Sequence, residues 1–348
     1  MKILAPGQIH VLIVGDYRTG TGPANVTKEY IRCLGPDAFC LKTASRAGRA
    51  LELIVKIPFA SVVLCSGYSA QNILAAKWAH FWKKKCVYLM HGSVEHENRI
   101  NHCEDESMTR IEAETLRLSD RIYAVSGRFA DWLRERYPEY QEKIGVQRNG
   151  VDKSLSFSED VRGDRGSDGS GPYKRDLNRL LSIGGGMPRK RILRICEAVE
   201  LLRKEEGLAE LKLTVIGDQG ADSEKIDRYE FVEDLGLVDP KKARELLSEA
   251  GLFIQNSCFE TFGLAPMEAL AAGCDILVSR EVGALELFDT EGLSDYIIED
   301  HEDVREISEK IRRALGSGNR AAFQKAFIGE KASWEMRAKE LLLKLKSL

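Results

Sequence analysis

Two carboxylates, Glu260 and Glu268, are separated by seven residues in a segment whose composition favours a turn followed by a helix. The apolar run over residues 251–254 precedes them and predicts a short buried strand. Gly263 permits a tight turn, and Pro266 suits the start of a helix, where its missing N–H would be unpaired anyway. The sequence therefore predicts a strand–loop–helix unit with Glu260 on the loop and Glu268 in the first helical turn.

Such a unit can bind a nucleotide sugar. The start of a helix presents unpaired N–H groups and the positive end of the helix dipole, and both favour a phosphate. Carboxylates on either side of a bound diphosphate can accept hydrogen bonds from the hydroxyl groups of a ribose and of a sugar. The alternative is an ordinary strand–loop–helix connection with two exposed acids.

A second candidate segment follows the strand predicted over residues 180–183. Three consecutive glycines, which include Gly185 and Gly186, would let backbone amides approach a diphosphate. The basic residues that follow would neutralise it, and these are Arg189, Lys190 and Arg191. A plain basic helix start is the alternative.

The composition predicts a soluble globular protein of two domains. The chain has 348 residues, of which 43% are apolar and 30% are charged, and single hydrophobic cores rarely grow that large. Its apolar runs are shorter than the roughly 18 residues of a membrane span, and no signal peptide is recognisable. Eight scattered cysteines without a C-x-x-C pair predict reduced thiols in a cytoplasmic protein.

The charge is distributed unevenly. Residues 1–155 contain 22 Lys and Arg against 17 Asp and Glu, whereas the remainder contains 29 against 37. A basic N-terminal half fits an anionic acceptor or a membrane surface better than a nucleic acid, and uneven surface charge without a function is the alternative.

Trp78, Phe81 and Trp82 lead into the basic run of residues 83–85, which predicts either a helix that touches a membrane or aromatics packed on the sheet.

Strands and helices alternate along both halves, which predicts an α/β fold with parallel sheets. The first domain is predicted over residues 1–155, a linker or mobile loop over 156–177, and the second domain over 178–330. Gly20 and Gly22 lie in the glycine-rich loop of the first strand–loop–helix unit, but the spacing fails the dinucleotide fingerprint and excludes an NAD site. The polar run over residues 95–104 matches no metal-ligand spacing and predicts a solvated loop.

The segment E-T-F-G-L-A-P-M-E-A-L-A-A-G resembles the signature of the retaining family 4 glycosyltransferases. Further resemblances are His91-Gly-Ser after a strand, the turns Asn149-Gly-Val-Asp and Gly217-Asp-Gln-Gly, and the final helical pattern from Ser333. The resemblance implies the GT-B fold, in which two Rossmann-like domains face each other across a cleft. It also implies that the last helix, about residues 331–348, returns to the first domain.

The resemblance implies transfer of a sugar from a nucleoside diphosphate sugar to an acceptor hydroxyl with retention, without a metal, another cofactor or a covalent residue. A UDP-sugar is the favoured donor, and the sequence leaves the base and the sugar open. The implied product is a surface polysaccharide, glycolipid or glycoprotein glycan, made in the cytoplasm or at the inner face of the membrane. Glu260 would position the sugar, His91 would contact it, and Lys190 would stabilise the departing diphosphate. The other implied donor-site residues are Gly217, Phe262, Gly263, Leu264 and Glu268, with Gly20 and Gly22 on the acceptor side.

In one respect the sequence departs from the family. The arginine that usually follows the strand is replaced by glycine, and either Arg189 or Arg191 would compensate. The missing arginine keeps open a second function, that of a non-catalytic subunit that binds the nucleotide sugar and partners an active transferase. A nucleotide-sugar epimerase or a phosphorylase-like enzyme on the same fold is a further alternative.

Overall fold

The structure is a computed structural model that describes residues 9–103, 105–151, 175–329 and 332–348. The linker predicted over residues 156–177 lies outside these residues except at its end, where a strand already begins at Asp176. The chain divides into two compact units. The first contains the described residues up to 98, those from 105 to 150, and the last helix, and the second contains the remainder.

The first unit is built on a six-stranded parallel sheet with the strand order β2-β1-β3-β4-β5-β6. The strands are β1 (Val11–Gly15), β2 (Ala38–Cys40), β3 (Val62–Ser66), β4 (Lys85–Met90), β5 (Arg121–Ala124) and β6 (Ile144–Val146). The helices are α1 (Gly22–Leu34), α2 (Arg46–Lys56), α3 (Gln71–Phe81), α4 (Val94–Ile100), α5 (Glu106–Leu118) and α6 (Gly127–Arg136), together with the last helix of the chain.

The second unit has another six-stranded parallel sheet, with the order β12-β11-β10-β7-β8-β9. Its strands are β7 (Asp176–Ile183), β8 (Lys212–Ile216), β9 (Val232–Asp234), β10 (Ala250–Gln255), β11 (Asp275–Ser279) and β12 (Ile297–Ile298). Its helices are α7 (Ile192–Glu205), α8 (Ser223–Ile226), α9 (Pro240–Glu249), α10 (Ala265–Ala271), α11 (Val304–Ser317) and α12 (Arg320–Ala326), and α13 (Trp334–Lys346) follows in the first unit.

Both sheets follow from continuous apolar runs. Every residue of β1, β3 and β10 is buried, as expected for parallel strands that are covered on both faces. The strand order reverses between β1 and β3 in the first unit and between β7 and β10 in the second. In such sheets, ligands bind beyond the carboxyl ends of the strands at these switch points.

The prediction of a solvated loop over residues 95–104 is wrong in its first part, because Val94–Ile100 forms helix α4. The carboxylate of Glu112 on α5 accepts hydrogen bonds from the backbone N–H groups of Val94 and Glu95 at 2.8 and 3.0 Å. Glu112 thus satisfies N–H groups that a helix start leaves unpaired.

In the residues that the structure describes, no helix is long and apolar enough to cross a membrane.

Helix α13 packs into the first unit through one aromatic contact and several polar ones. The ring of Trp334 meets the buried ring of Tyr30 edge-to-face at 5.6 Å. Gln147 at the end of the sheet donates to the carbonyl oxygen of Arg337 at 3.0 Å, and Lys344 donates to Gln147 at 3.1 Å. The last helix is therefore part of the core of the first unit.

Replacement Trp334→Ala is expected to destabilise the first unit by about 3–5 kcal/mol, the usual effect of removing a buried Trp side chain. Trp334 is 7% exposed, whereas Met336 on the same helix is 44% exposed, so Met336→Ala is the matched control. The other three tryptophans, Trp78, Trp82 and Trp132, also lie in the first unit, so urea unfolding followed by tryptophan fluorescence reports on it. Equal shifts for both variants would contradict the assigned packing.

Candidate functional site

A lysine–glutamate pair occupies the switch point of the second sheet. Lys190 ends the 3-10 helix Pro188–Lys190 after β7, and Glu260 lies on the loop after β10. The Nζ atom of Lys190 lies 2.5 Å from Oε2 of Glu260, and both side chains are only 13% exposed. The Nε2 group of Gln255, the last residue of β10, donates to the same carboxylate oxygen at 2.9 Å.

Arg189 extends this pair. Its Nη1 atom lies 3.7 Å from the carboxylate of Glu260, and its carbonyl oxygen accepts from the N–H group of Cys258 at 2.9 Å. Burial alone would raise the pKa of Glu260, but Lys190 and Arg189 outweigh it and lower that pKa below its ordinary value. Glu260 is therefore ionised at neutral pH although it is largely buried.

Arg191 is held differently. It adopts a left-handed conformation with φ of +51°, and its guanidinium pairs with Glu302 and donates to the carbonyl oxygen of Pro188 at 2.9 Å. Arg194 of α7 donates to the same Glu302 carboxylate at 2.8 Å. The sequence left open whether Arg189 or Arg191 compensates for the missing arginine. Of these two, Arg189 is the one that approaches Glu260.

The glycine run after β7 brings two loops together. The N–H groups of Gly184, Gly185 and Gly186 donate to the carbonyl oxygens of Ile216 and Asp218 at 2.6–3.1 Å. A Cβ atom at Gly185 would lie 2.0 Å from the Asp218 carbonyl oxygen. These three amides are thus occupied within the protein, whereas the sequence suggested that they face a ligand; glycine is needed here for close backbone approach.

Side-chain space is also restricted around Gly184 and Gly217. A Cβ atom at Gly184 would lie 2.4 Å from Cγ of Lys190, so the lysine stem passes directly over this glycine. A Cβ atom at Gly217 would lie 2.3 Å from the backbone nitrogen of Gly185. The missing side chain at Gly184 therefore leaves room for Lys190 on its path towards Glu260, and the one at Gly217 lets the two loops approach each other.

The loop after β10 is fixed by the 3-10 helix Gly283–Leu287. The carbonyl oxygen of Glu260 accepts from the N–H group of Gly283 at 3.1 Å, and that of Phe262 accepts from Ala284 at 2.6 Å. Phe262 itself is 2% exposed. These contacts hold the Glu260 backbone in place beside the sheet.

Gly263 forms the predicted turn into α10, with φ of +86°. Leu264 is the N-cap residue of α10, and Glu268 lies in its first turn, as predicted from the sequence. The Glu268 side chain is exposed, yet surrounding protein atoms raise the pKa of its carboxyl, and Arg244 partly opposes this. The exposure leaves this carboxyl accessible to a ligand.

The first unit has a polar cluster of its own at the ends of β3 and β4. The Nε2 atom of His91 lies 3.1 Å from Oγ of Ser66, which in turn lies 2.8 Å from Oγ1 of Thr27 on α1. Burial lowers the pKa of His91 to about 4, so the imidazole is neutral at pH 7. Gly20 and Gly22 lie in the loop after β1 and at the start of α1, and added Cβ atoms there would meet open space.

The sequence interpretation missed Gln255, Ser66 and Thr27. Gln255 and Ser66 are polar residues that end buried parallel strands, which is the signal that identified His91. Thr27 lies inside a helical pattern and carries no such signal.

Two family models match the chain, one in each half. The model described as Glycosyltransferase Family 4 matches residues 7–155, and the model described as Glycosyl transferases group 1 matches residues 169–328. The chain belongs to these glycosyltransferases. In fold, this glycosyltransferase chain is similar to Anabaena HepE, solved in complex with UDP-glucose, with a TM-score of 0.71 and 12% identity over 98% of this chain and 100% of that one. The fold is therefore of the GT-B type, with two Rossmann-like domains.

Among relatives in sequence, the transferase chain is 25% identical over 214 residues to a probable sucrose-phosphate synthase of Thermosipho melanesiensis. That match covers 59% of this chain and 48% of the relative. It is 24% identical over 255 residues to a D-inositol 3-phosphate glycosyltransferase of Pseudarthrobacter chlorophenolicus, which covers 69% of this chain and 59% of that one. The chain spans about half the length of the curated relatives it matches.

Replacement Glu260→Gln is expected to lower the free energy of unfolding of the second unit by about 3 kcal/mol at neutral pH, because Lys190 would lose its carboxylate in a largely buried position. The double variant Lys190→Met/Glu260→Gln should recover part of this loss, since no buried charge then lacks its partner. Urea unfolding followed by circular dichroism measures both. Glu291→Gln, which changes an exposed carboxylate of the same unit, is the control.

The same variant has an expected pH dependence. The folded state lowers the pKa of Glu260, so its contribution to stability is present above its unfolded pKa of 4.5 and is lost as the pH falls through the folded value. The difference in unfolding free energy between the wild type and Glu260→Gln should therefore narrow below pH 4.5. A difference that stays constant in acid would mean that Glu260 is not held ionised by Lys190.

Proposed function

We propose that the chain is a retaining, metal-independent glycosyltransferase that moves a sugar from a UDP-sugar to an acceptor hydroxyl. The observation that carries this proposal is the Lys190–Glu260 pair, with Arg189 beside it, at the switch point of the second sheet. Two cations and one carboxylate suit a donor that combines a diphosphate with a sugar. The two cations can bind the diphosphate, and the carboxylate can bind the hydroxyl groups of the sugar.

Lys190 stabilises the departing diphosphate in this proposal. The contact with Glu260 fixes the position of the Lys190 side chain before the donor binds. Fixed positive groups that face developing negative charge are usually the largest contribution to catalysis. Arg189 takes the place of the missing family arginine, because it shares the Glu260 carboxylate, whereas Arg191 is engaged by Glu302.

The carboxylates bind the hydroxyl groups of the donor. Glu260 is ionised and accepts hydrogen bonds from the sugar, and Gln255 at the end of β10 restrains the carboxylate. Glu268 is exposed on α10 and accepts from the ribose. The backbone N–H groups of Gly263 and Leu264 add donors for the diphosphate at the turn.

Three further roles rest on the resemblance. His91 contacts the donor sugar, and its neutral imidazole can donate or accept a hydrogen bond. Phe262 and the glycines at 185, 186 and 217 shape the nucleotide side, and Gly20 and Gly22 leave backbone accessible on the acceptor side. No protein nucleophile is required, because the leaving phosphate takes the acceptor proton on the face from which it departs.

A structural neighbour supports the identity of the donor. HepE was solved with UDP-glucose, which supports uridine as the base. We assign the acceptor to a surface polysaccharide, glycolipid or glycoprotein glycan, and the reaction to the cytoplasm, where eight free cysteines would stay reduced.

UDP or UDP-glucose is expected to raise the melting temperature of the wild-type chain, and GDP and ADP are expected to raise it much less. A ligand that binds only the folded state stabilises it by mass action, by about 2.7 kcal/mol at one hundred times its dissociation constant. Glu268→Ala should weaken the shift, and Glu291→Ala, which alters an exposed acid elsewhere in the unit, should preserve it. The absence of a shift with any of these nucleotides would contradict the assigned donor site.

Lys190→Ala is expected to reduce hydrolysis of UDP-glucose in the absence of acceptor by about 100- to 1,000-fold, the usual effect of losing one group that stabilises developing charge. Lys204→Ala on α7, whose side chain is 70% exposed, is the control. Product release is measured by chromatography of UDP, and NMR of the transferred sugar shows whether the anomeric configuration is retained. A wild-type chain that binds UDP-glucose but never releases UDP would instead be a non-catalytic binding subunit.

A further inference from the structure

The first unit carries a cluster of exposed apolar side chains on α2, the following 3-10 helix and α3. Fourteen large apolar side chains are exposed in the described part of the chain, and six of them lie between residues 51 and 82. These six, called here the α2–α3 surface, are Leu51, Ile54, Val55, Phe59, Phe81 and Trp82. Exposed apolar residues normally scatter singly, so a cluster of this size indicates a binding surface.

Ring contacts hold the aromatic residues of α3 together, and a hydrogen bond joins them to α2. Trp78 stacks on Phe81 with ring centroids 4.9 Å apart, and Trp82 meets Phe81 edge-to-face at 5.8 Å. The indole N–H of Trp78 donates to the carbonyl oxygen of Ile54 on α2 at 3.1 Å. Phe81 is nevertheless 70% exposed and Trp82 is 43% exposed, so a large part of both side chains faces solvent.

Helix α2 is apolar on two sides. Leu53 is buried against the core, and Ile57 directly after the helix is buried as well. Leu51 and Val55, which lie one turn apart, are 63% and 57% exposed. A helix that only covers a sheet needs a single apolar stripe, so the second one calls for an additional partner.

Positive charge borders the α2–α3 surface. Lys83, Lys84 and Lys85 follow Trp82 directly, and Lys83 turns the chain with φ of +52°. Lys85 pairs with Asp120 at 3.0 Å, but in the parts of the chain that the structure describes neither Lys83 nor Lys84 forms an ion pair. The border of the surface therefore keeps uncompensated positive charge.

We propose that the α2–α3 surface docks the first unit onto an anionic lipid bilayer. Its aliphatic and aromatic side chains would enter the boundary between headgroups and acyl chains, and the lysines would bind the anionic headgroups. Tryptophan suits this depth because its ring is apolar and its N–H is polar. A second copy of the chain fits less well, since a symmetric dimer would bring the lysine run of one copy against that of the other.

Wild-type protein is expected to float with vesicles of phosphatidylcholine and phosphatidylserine, and to float much less with phosphatidylcholine alone. Leu51→Ser/Phe81→Ser should reduce the bound fraction with mixed vesicles at least tenfold. Lys83→Glu/Lys84→Glu should reduce binding by about fivefold for each lysine and remove the preference for phosphatidylserine. Leu237→Ser/Leu343→Ser, which alters two side chains that are 75% and 68% exposed outside the surface, should bind like the wild type.

Melting temperatures of all variants verify that they fold, as expected for changes at exposed positions. Wild-type protein that fails to float with mixed vesicles would overturn the proposal, and so would equal binding by all variants. Sedimentation that shows a dimer dissociated by Leu51→Ser/Phe81→Ser, without vesicle binding, would overturn it in favour of self-association. The assay contains no nucleotide, so its result is independent of the proposed transferase activity.

Discussion

The contact between Lys190 and Glu260 is the constraint around which the second unit is arranged. Burial disfavours both charges, so the pair is tolerated only because each charge has the other, with Arg189 and Gln255 on the same carboxylate. Several separate features must coincide to bring these atoms together: a glycine beneath the lysine stem, a polar residue at the end of β10, and the backbone bond that ties Glu260 to Gly283. Losing any one of them would leave a charge poorly satisfied.

Burial favours the neutral form of a titratable side chain in both units, but the ionisation states that result are different. In the first, burial lowers the pKa of His91 to about 4 and makes its imidazole neutral at pH 7. In the second, burial acts on Glu260 as well, but two neighbouring cations reverse its effect and keep the carboxylate ionised. The same parallel-sheet plan thus offers a neutral hydrogen-bonding group in one unit and a charged one in the other.

The sequence was sufficient to predict the features that neighbouring residues determine. It was not sufficient for features that depend on residues far away along the chain. The strands around Glu260 and His91 follow from apolar runs, and the α10 turn follows from Gly263. The short edge strands such as β2 and β12 are too brief for any periodicity to appear. Helix α4 and the occupied amides of the glycine run depend on partners 17 to 32 residues away, which no local pattern identifies. These partners are Glu112 for the helix, and the end of β8 with the loop that follows it for the glycines.

The backbone packing at Gly185 limits how this sequence can change. A β-carbon there would collide with the Asp218 carbonyl group, which is main chain and has no alternative rotamer. An arginine at position 185 would therefore break the pairing of these two loops before it added any charge. Arg189 lies outside this packed turn, so a cation beside Glu260 at that position leaves the path of both loops undisturbed.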